Sequence, residues 1–181
     1  VECKKGFMKE SKIEWTKHTF NPWIGCTKVS PGCLHCYAEE LMDHRYGRVQ
    51  WGPSGTRSRT KTWRDPIKWN REAAKEGKRK KVFCASLADV FEDREELEPW
   101  RADLFELIDE TPMLDWLLLT KRPENIGWMW TQSLPNMREN VWLGTSISNQ
   151  ANAEKQIPHL VNCVDLCQYL FLSIEPQIAH V

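Results

Sequence analysis

Three cysteines, Cys26, Cys33 and Cys36, lie within one short stretch that is rich in turn-forming residues. Six residues separate the first two cysteines, and two residues separate the second from the third. A structural zinc site needs four protein ligands. An iron–sulfur cluster can instead use three cysteines and leave one iron open to a substrate or cofactor. The spacing therefore favours an iron–sulfur centre and keeps a zinc site, or inert thiols, as the alternatives.

The zinc alternative needs a fourth ligand, and two histidines are near enough in sequence to supply it. His18 is the better candidate, because His35 lies inside the tight turn between Cys33 and Cys36. A disulfide framework is disfavoured, since the chain has an odd number of cysteines and no secretory signal precedes them. We expect the other cysteines to be dispensable for the centre: Cys3, Cys84, Cys163 and Cys167.

The composition predicts one soluble globular domain over residues 1–181, with equal numbers of basic and acidic side chains. These charges are unevenly distributed. Eleven basic residues fall between Arg57 and Lys81, whereas acidic residues dominate from Asp89 to Asp115. No apolar run has the length of a membrane span, and we therefore expect a cytoplasmic protein without a membrane partner.

Apolar runs alternate with helical patterns along the chain. Strands are predicted at 82–87, 114–120, 140–146 and 169–175, after a short first strand at 19–23. Helices are predicted at 93–109, around 126–130 and at 149–160. Near-continuous apolar strands separated by helices indicate parallel pairing, and hence an α/β barrel or an open sheet.

Polar residues follow the predicted strands, and the cysteine loop follows the first strand. Because the carboxyl ends of parallel strands open onto one mouth, these side chains are candidates for a shared site. Three of them have ordinary alternatives: Asp89 as a helix cap, and Lys121 and Arg122 as parts of a solvated loop. The candidates at the later strand ends are Ser86, Asp89, Thr120, Lys121, Arg122, Thr145, Ser146, Ser148, Ser173 and Glu175.

Several strings in the chain resemble the radical S-adenosylmethionine enzymes. They are W-T-x-x-T-F-N-P-W-x-G-C, S-P-G-C-x-x-C-Y-A, L-L-T-K-R-P, V-W-L-G-T-S and S-I-E-P. Their order is similar to that of a phage-associated branch of this superfamily without an assigned reaction, over about residues 11–178. The resemblance implies a partial (β/α) barrel. Since only five strands are predicted, the last strand–helix unit is expected to be missing and the chain to be incomplete at its C-terminus.

The same resemblance implies the cofactors. A 4Fe–4S cluster would be held by Cys26, Cys33 and Cys36, and S-adenosylmethionine would bind its open iron. A one-electron reductant such as flavodoxin or ferredoxin would drive cleavage to a 5′-deoxyadenosyl radical. The residues expected to hold S-adenosylmethionine are Ser86, Asp89, Lys121, Ser146, Glu175 and Tyr37.

The basic segment, which we treat as an insertion over residues 48–81, suggests a nucleic-acid partner. Cations interleaved with tryptophans can neutralise phosphates and stack on bases. The candidates are Arg57, Arg59, Trp63, Trp69, Lys78, Arg79, Lys80 and Lys81. The alternative is a solvated helical face that carries Trp63 and Trp69 into the core. The sequence thus predicts an iron–sulfur radical enzyme acting on a nucleic acid or nucleotide, with a zinc-stabilised, non-catalytic nucleic-acid-binding module as the alternative.

Overall fold

A parallel sheet of five strands forms the centre of the protein in a computed structural model, which describes residues 15–133 and 137–181. The strands of this sheet are β1 (His18–Thr19), β4 (Lys80–Cys84), β5 (Leu114–Thr120), β6 (Arg138–Ser146) and β7 (Cys167–Ser173). They are neighbours in that order, and every pair is parallel. The α/β class and the parallel pairing predicted from the sequence are confirmed.

A second, two-stranded sheet lies between β1 and β4 in the sequence. It pairs β2 (Trp23–Ile24) with β3 (Ser58–Arg59) in antiparallel fashion. The single strand predicted at 19–23 is therefore wrong. Its first part pairs with β4, while Pro22 separates it from β2. Proline has no N–H to donate, so it does not continue a ladder.

In the part of the chain that the structure describes, five α-helices connect the strands. They are α1 (Tyr37–Glu39), which continues as a wider turn over Glu40–Arg45, α2 (Asp65–Glu76), α3 (Glu98–Asp109), α4 (Ile126–Ser133) and α5 (Gln150–Val161). Local signals fix their ends. Gly77 ends α2 in the left-handed conformation, and Asn149 caps α5 by accepting a hydrogen bond from the Asn152 amide.

The main core lies on one face of the sheet. Alternate strand residues such as Val82, Trp116 and Leu143 are fully buried there, and α2, α3, α4 and α5 all contribute to the same apolar cluster. Because side chains alternate along a strand, all four helices lie on a single side of the sheet. Part of the segment 48–81 belongs to this core, since α2 contributes Trp69 and Ala73.

The opposite face of the sheet carries aromatic residues. The rings of Phe83 and Phe171 both meet Trp15 edge to face. Phe171 also covers Gly144, where a Cβ atom would collide with its ring. Within 15–133 and 137–181, no helix is long and apolar enough to cross a membrane.

Candidate functional site

The loop that carries the three cysteines begins at Gly25, whose backbone has a positive φ of 112°. A Cβ atom there would lie 2.7 Å from the Thr56 carbonyl oxygen, so only glycine fits without strain. The Gly25 amide donates to the Leu87 carbonyl oxygen at 3.0 Å. The loop is therefore attached, one residue before Cys26, to the segment that follows β4.

The second and third cysteines are positioned by short helical turns. Cys33 closes a tight turn over Pro31–Cys33, and its amide donates to the Ser30 carbonyl oxygen at 2.9 Å. Cys36 precedes α1 as its N-cap residue. Gly32 lies against Ser148, just beyond β6, at a distance where a Cβ atom would be crowded. Local turn chemistry thus orients the thiols towards the ends of the strands.

All three cysteines line one cavity of about 120 Å³. Its opposite wall consists of the segment after β4 and the end of β5, which contribute Ser86, Asp89 and Lys121 among others. The predicted mouth at the carboxyl ends of the strands therefore contains the cysteines and three of the predicted cofactor-binding residues. The thiols of the cysteines in this cavity are all free.

The other predicted cofactor-binding residues, Ser146, Glu175 and Tyr37, do not line the cavity. Lys121 donates through Nζ to the Ser146 hydroxyl at 3.1 Å, so Ser146 adjoins the cavity through a lining residue. Glu175 is exposed, and its backbone carbonyl, rather than its carboxylate, accepts from Ser146 at 3.3 Å. Tyr37 is 63% exposed and does not line the cavity.

The side chains lining the cavity that could bind a metal are three thiols and the Asp89 carboxylate. Among the residues that the structure describes, no three histidine, cysteine or carboxylate side chains are grouped closely enough to hold a metal ion. The candidate zinc ligand His18 is buried and stacks on Trp69, with 4.2 Å between ring centroids, and His35 is exposed. Neither histidine lines the cavity. Cys26, Cys33 and Cys36 therefore line one cavity without being grouped as the ligand set of a metal ion in this structure.

The other cysteines have a different environment. Cys84, Cys163 and Cys167 are buried in the main apolar core, as expected for small core residues. Burial raises the pKa of each of these thiols. Cys3 lies outside the described residues.

Arg122 links the cysteine loop to the strand ends. Its Nη1 donates to Asp89 Oδ2 at 2.7 Å and lies 3.6 Å from the Cys26 Sγ atom, while Nη2 donates to the Thr27 carbonyl oxygen at 2.6 Å. Burial opposes the charge of this guanidinium, but Asp89, Cys26 and Glu92 together outweigh that cost and raise the Arg122 pKa. Arg122 therefore remains a cation beside the first cysteine.

Asp89 is fully engaged by protein groups. Its Oδ1 accepts from the Thr120 hydroxyl at 2.6 Å and from the Phe91 amide, and its Oδ2 accepts from the Lys121 amide as well as from Arg122. The carboxylate thus joins the end of β4 to the end of β5. This arrangement makes Asp89 the anchor of Arg122, in addition to a residue of the cavity wall.

A second buried ion pair adjoins the first. Arg57 donates to Glu92 through Nε at 2.9 Å and through Nη2 at 2.6 Å, and it also donates to the Thr27 hydroxyl at 2.9 Å. Its side chain is completely buried, so the structure does not present Arg57 to a nucleic acid, contrary to our prediction. The Arg57–Glu92 pair instead holds the cysteine loop from its other side.

The environments of the first two thiols differ. Burial, together with the negative charge of Asp89, raises the pKa of Cys26 to about 12. Burial also opposes ionisation of Cys33, yet hydrogen bonds from Val29 and Ser30 outweigh it and lower the pKa of that thiol. The thiolate that a metal centre requires therefore forms more readily at Cys33 than at Cys26.

The remaining candidates for nucleic-acid binding fall in two separate places. Arg59 stacks over Trp63 at 4.1 Å, Trp63 meets Phe20 edge to face, and Trp69 is only 8% exposed. The two tryptophans thus pack as the alternative interpretation expected. Lys78, Arg79, Lys80 and Lys81 lie at the opposite, amino end of β4.

At that end the cations are engaged within the chain. Arg79 pairs with Asp115 at 2.7 Å, Lys80 pairs with Glu76 at 2.7 Å, and Lys81 lies 4.3 Å from the Trp142 ring. The basic segment is therefore not one continuous surface.

The sequence assigned no site role to Glu92, and it placed Arg122 among the strand-end candidates without a role in holding the cofactor. Arg122 was recognisable as a cation directly after a buried strand, in the string L-L-T-K-R-P. Glu92 follows the fully buried residues Val90 and Phe91, where a charged side chain indicates a buried partner. That partner, Arg57, is 35 residues away and left no local signal.

Comparison with known proteins identifies a family but no individual relative. No curated protein and no solved structure matches the chain. A family model described as "Protein of unknown function (DUF5131)" matches residues 10–181, which is nearly the whole chain. The chain with this cysteine-lined cavity therefore belongs to the DUF5131 family.

Proposed function

We propose that this protein is an iron–sulfur enzyme that holds a 4Fe–4S cluster through Cys26, Cys33 and Cys36 and cleaves S-adenosylmethionine reductively. The observation that carries the proposal is the cavity lined by three free thiols at the carboxyl ends of β4 and β5. When bound, the cluster would supply one electron to the sulfonium of S-adenosylmethionine and so release a 5′-deoxyadenosyl radical.

The thiols can serve such a cluster if loading draws them together. Cys33 and Cys36 lie in a loop of short turns, which is easier to move than a strand, and they line the same cavity as Cys26. Arg122 donates to the Cys26 sulfur, and hydrogen bonds to cluster sulfurs raise the reduction potential. Arg122 would thereby ease reduction of a bound cluster.

The cavity wall supports the binding of an amino-acid group. The Lys121 ammonium lies at the cavity and is oriented by Ser146, so it can pair with a carboxylate. Ser86 adds a hydroxyl that is fixed by the Asn21 side chain. These groups suit the carboxylate and amine of the methionyl part of S-adenosylmethionine.

The parallel sheet supports the partial (β/α) barrel that the proposal requires. Five parallel strands with helices on one face support this proposal, because a partial (β/α) barrel is built from the same strand–helix units. The electron would come from a one-electron donor such as a flavodoxin or ferredoxin. A reducing cytoplasmic compartment suits the free thiols.

Metal analysis after anaerobic purification and reconstitution tests the proposal. We expect about four irons and matching sulfide per chain. Replacing Cys26, Cys33 or Cys36 with Ala should each abolish iron binding. The matched control is Cys163→Ala, a buried cysteine outside the cavity, which should retain the iron. Stoichiometric zinc without iron would establish the zinc-stabilised module instead.

A second measurement separates the cluster from its chemistry. With a low-potential reductant, the loaded protein should convert S-adenosylmethionine into 5′-deoxyadenosine and methionine, and the Cys36→Ala variant should not. A loaded and reducible protein that yields neither product would refute the assigned reaction while leaving the metal site in place.

A further inference from the structure

A second, larger cavity lies beside the cysteine cavity. It has a volume of about 830 Å³, within the range of small-molecule sites, and Leu87 lines both cavities. Its walls come from the segment around β1 and β2, from β3 and the loop after it, and from the start of α2. We refer to it as the basic groove, because Arg48, Arg59, Lys61 and Lys68 line it and Asp65 is its one acidic lining residue in the described part of the chain.

The positive charge of the basic groove is only partly balanced. Arg59 pairs with Asp103 at 2.6 Å, and Lys68 lies 3.6 Å from Asp65. With both carboxylates counted, the four cations still leave a positive surplus beside the cavity. Lys61 and Lys68 are exposed, so their ammonium groups can reach a ligand in the groove. An anionic ligand is therefore favoured.

The other lining residues specify the kind of anion. Thr19, Ser58, Thr60 and Thr62 contribute hydroxyls, which together with ammonium groups are typical phosphate contacts. Apolar side chains of Ile24, Met42 and Leu87 form another part of the wall and suit a sugar or base. A ligand with phosphate at one end and a weakly polar body matches both parts.

One residue joins the basic groove to the cysteine cavity. Asn21 lines the groove, and its Oδ1 accepts from the Ser86 and Leu87 amides at 2.8 Å each. Ser86 and Leu87 line the cysteine cavity. A ligand seated in the groove is thus separated from the thiol site by a single layer of residues.

We propose that the basic groove binds the phosphate of a nucleotide substrate, either free or within a nucleic-acid strand, and holds it beside the cysteine cavity. The role of the bound nucleotide as a substrate rests on the proposed function, whereas its binding in the groove does not. The groove replaces the amino-end cations Lys78, Arg79, Lys80 and Lys81 as the expected phosphate contact.

Two charge-reversal variants of the full chain test the proposal. The groove variant is Lys61→Glu with Lys68→Glu, and the control is Lys75→Glu with Lys78→Glu. All four lysines are exposed and lie in the same basic segment, and neither control lysine lines the groove. Both variants change the net charge equally, so a general loss of positive charge affects them alike.

The probes are labelled single-stranded RNA and DNA of about 12 nucleotides, a length within the usual site sizes, together with adenosine monophosphate and inorganic phosphate as competitors. We expect the groove variant to weaken binding about tenfold and to lower the salt slope by about 0.7 for each phosphate that the protein no longer neutralises. The control variant should bind like the wild type. Thermal melting checks folding, and Lys61→Gln with Lys68→Gln provides a milder second variant.

Each outcome decides the proposal. Competition by adenosine monophosphate supports a free nucleotide, and binding restricted to the oligonucleotides supports a strand. Equal losses in both variants, a larger loss in the control, or no binding at all would overturn it. Inorganic phosphate that competes as well as adenosine monophosphate would overturn the nucleotide assignment. Because these assays need no cluster, groove binding without cleavage of S-adenosylmethionine refutes the proposed function alone, and cleavage without groove binding refutes this inference alone.

Discussion

Both ends of the parallel sheet carry arginine–carboxylate pairs, but they bury them to different extents. At the cysteine end, the side chains of Arg122 and Asp89 are 8% and 7% exposed, and those of Arg57 and Glu92 are 0% and 4% exposed. At the amino end, Arg138 is equally buried, but its partner Asp109 is 44% exposed. Arg79 and Asp115 there are also partly solvated.

The difference reflects what the pairs connect. Arg122 and Arg57 both donate to Thr27, so they join the cysteine loop to segments that follow β4 and β5. Arg138 attaches the end of α3 to the start of β6, which is a contact between regular elements. Burying a charge pair is costly, and loops without a core of their own gain most from being fixed in this way. The pairs at the cysteine end thus fix the position of a loop, whereas the Arg138 pair at the amino end joins two regular elements.

The largest effect is expected from Arg122→Met. This change leaves the Asp89 carboxylate buried without its cation, which should lower the free energy of unfolding by about 3–5 kcal/mol. It also removes the tie to Thr27, so less iron should be retained after reconstitution. Urea unfolding and iron analysis measure the two effects. Adding Asp89→Asn should recover part of the stability, because no unpaired charge remains.

A smaller effect is expected from Gly25→Ala, with Gly77→Ala as its matched control. Both glycines have a positive φ, but a Cβ atom at Gly77 meets nothing within 4 Å, whereas one at Gly25 meets the Thr56 carbonyl. The Gly25 variant should therefore be less stable than the Gly77 variant by about 1–3 kcal/mol. Thermal unfolding compares them, and equal melting temperatures would contradict the crowding at Gly25.

At the amino end, Arg138→Met should lower the free energy of unfolding by about 1 kcal/mol. Its partner Asp109 can be rehydrated, and the attraction of the guanidinium to the Phe105 and Trp130 rings is modest. Iron content should stay at the wild-type level. A loss of iron as large as that of Arg122→Met would abolish the contrast between the two ends.

The smallest effect is expected from Arg79→Gln. The Arg79–Asp115 pair is partly solvated, so its removal should cost less than about 1 kcal/mol, and the difference should shrink as salt is added. Urea unfolding at two salt concentrations measures it. A salt-independent loss of stability would indicate that Asp115 is more strongly desolvated than its exposure suggests.

The sequence predicted the parts of the fold whose signals are local. The strand at 114–120 is found as β5 with the same bounds, because a long apolar run between polar neighbours has few alternatives. The strand at 19–23 was wrong, because β1 comprises only His18 and Thr19 and owes its existence to pairing with β4. A two-residue strand carries no periodicity of its own.

The site residues show the same contrast between local signals and contacts with distant parts of the chain. The three cysteines were recognisable because their spacing alone brings them near one another. Arg57 was misjudged because a run of cations looks alike whether it is solvated or, as here, contains one member paired with a carboxylate 35 residues away. Glu175 was expected at the mouth, but β7 ends two residues earlier and its side chain is exposed.

Asn21 has a consequence for how the two cavities respond to their ligands. Its amide oxygen supports the backbone of Ser86 and Leu87, and these residues line the cysteine cavity. A ligand that displaces Asn21 from the basic groove therefore alters the wall of the other cavity. If a ligand in the groove changes the affinity for the proposed cofactor by some factor, thermodynamic linkage requires the cofactor to change the affinity for the groove ligand by the same factor. Binding at either cavity thus becomes a reporter of the other.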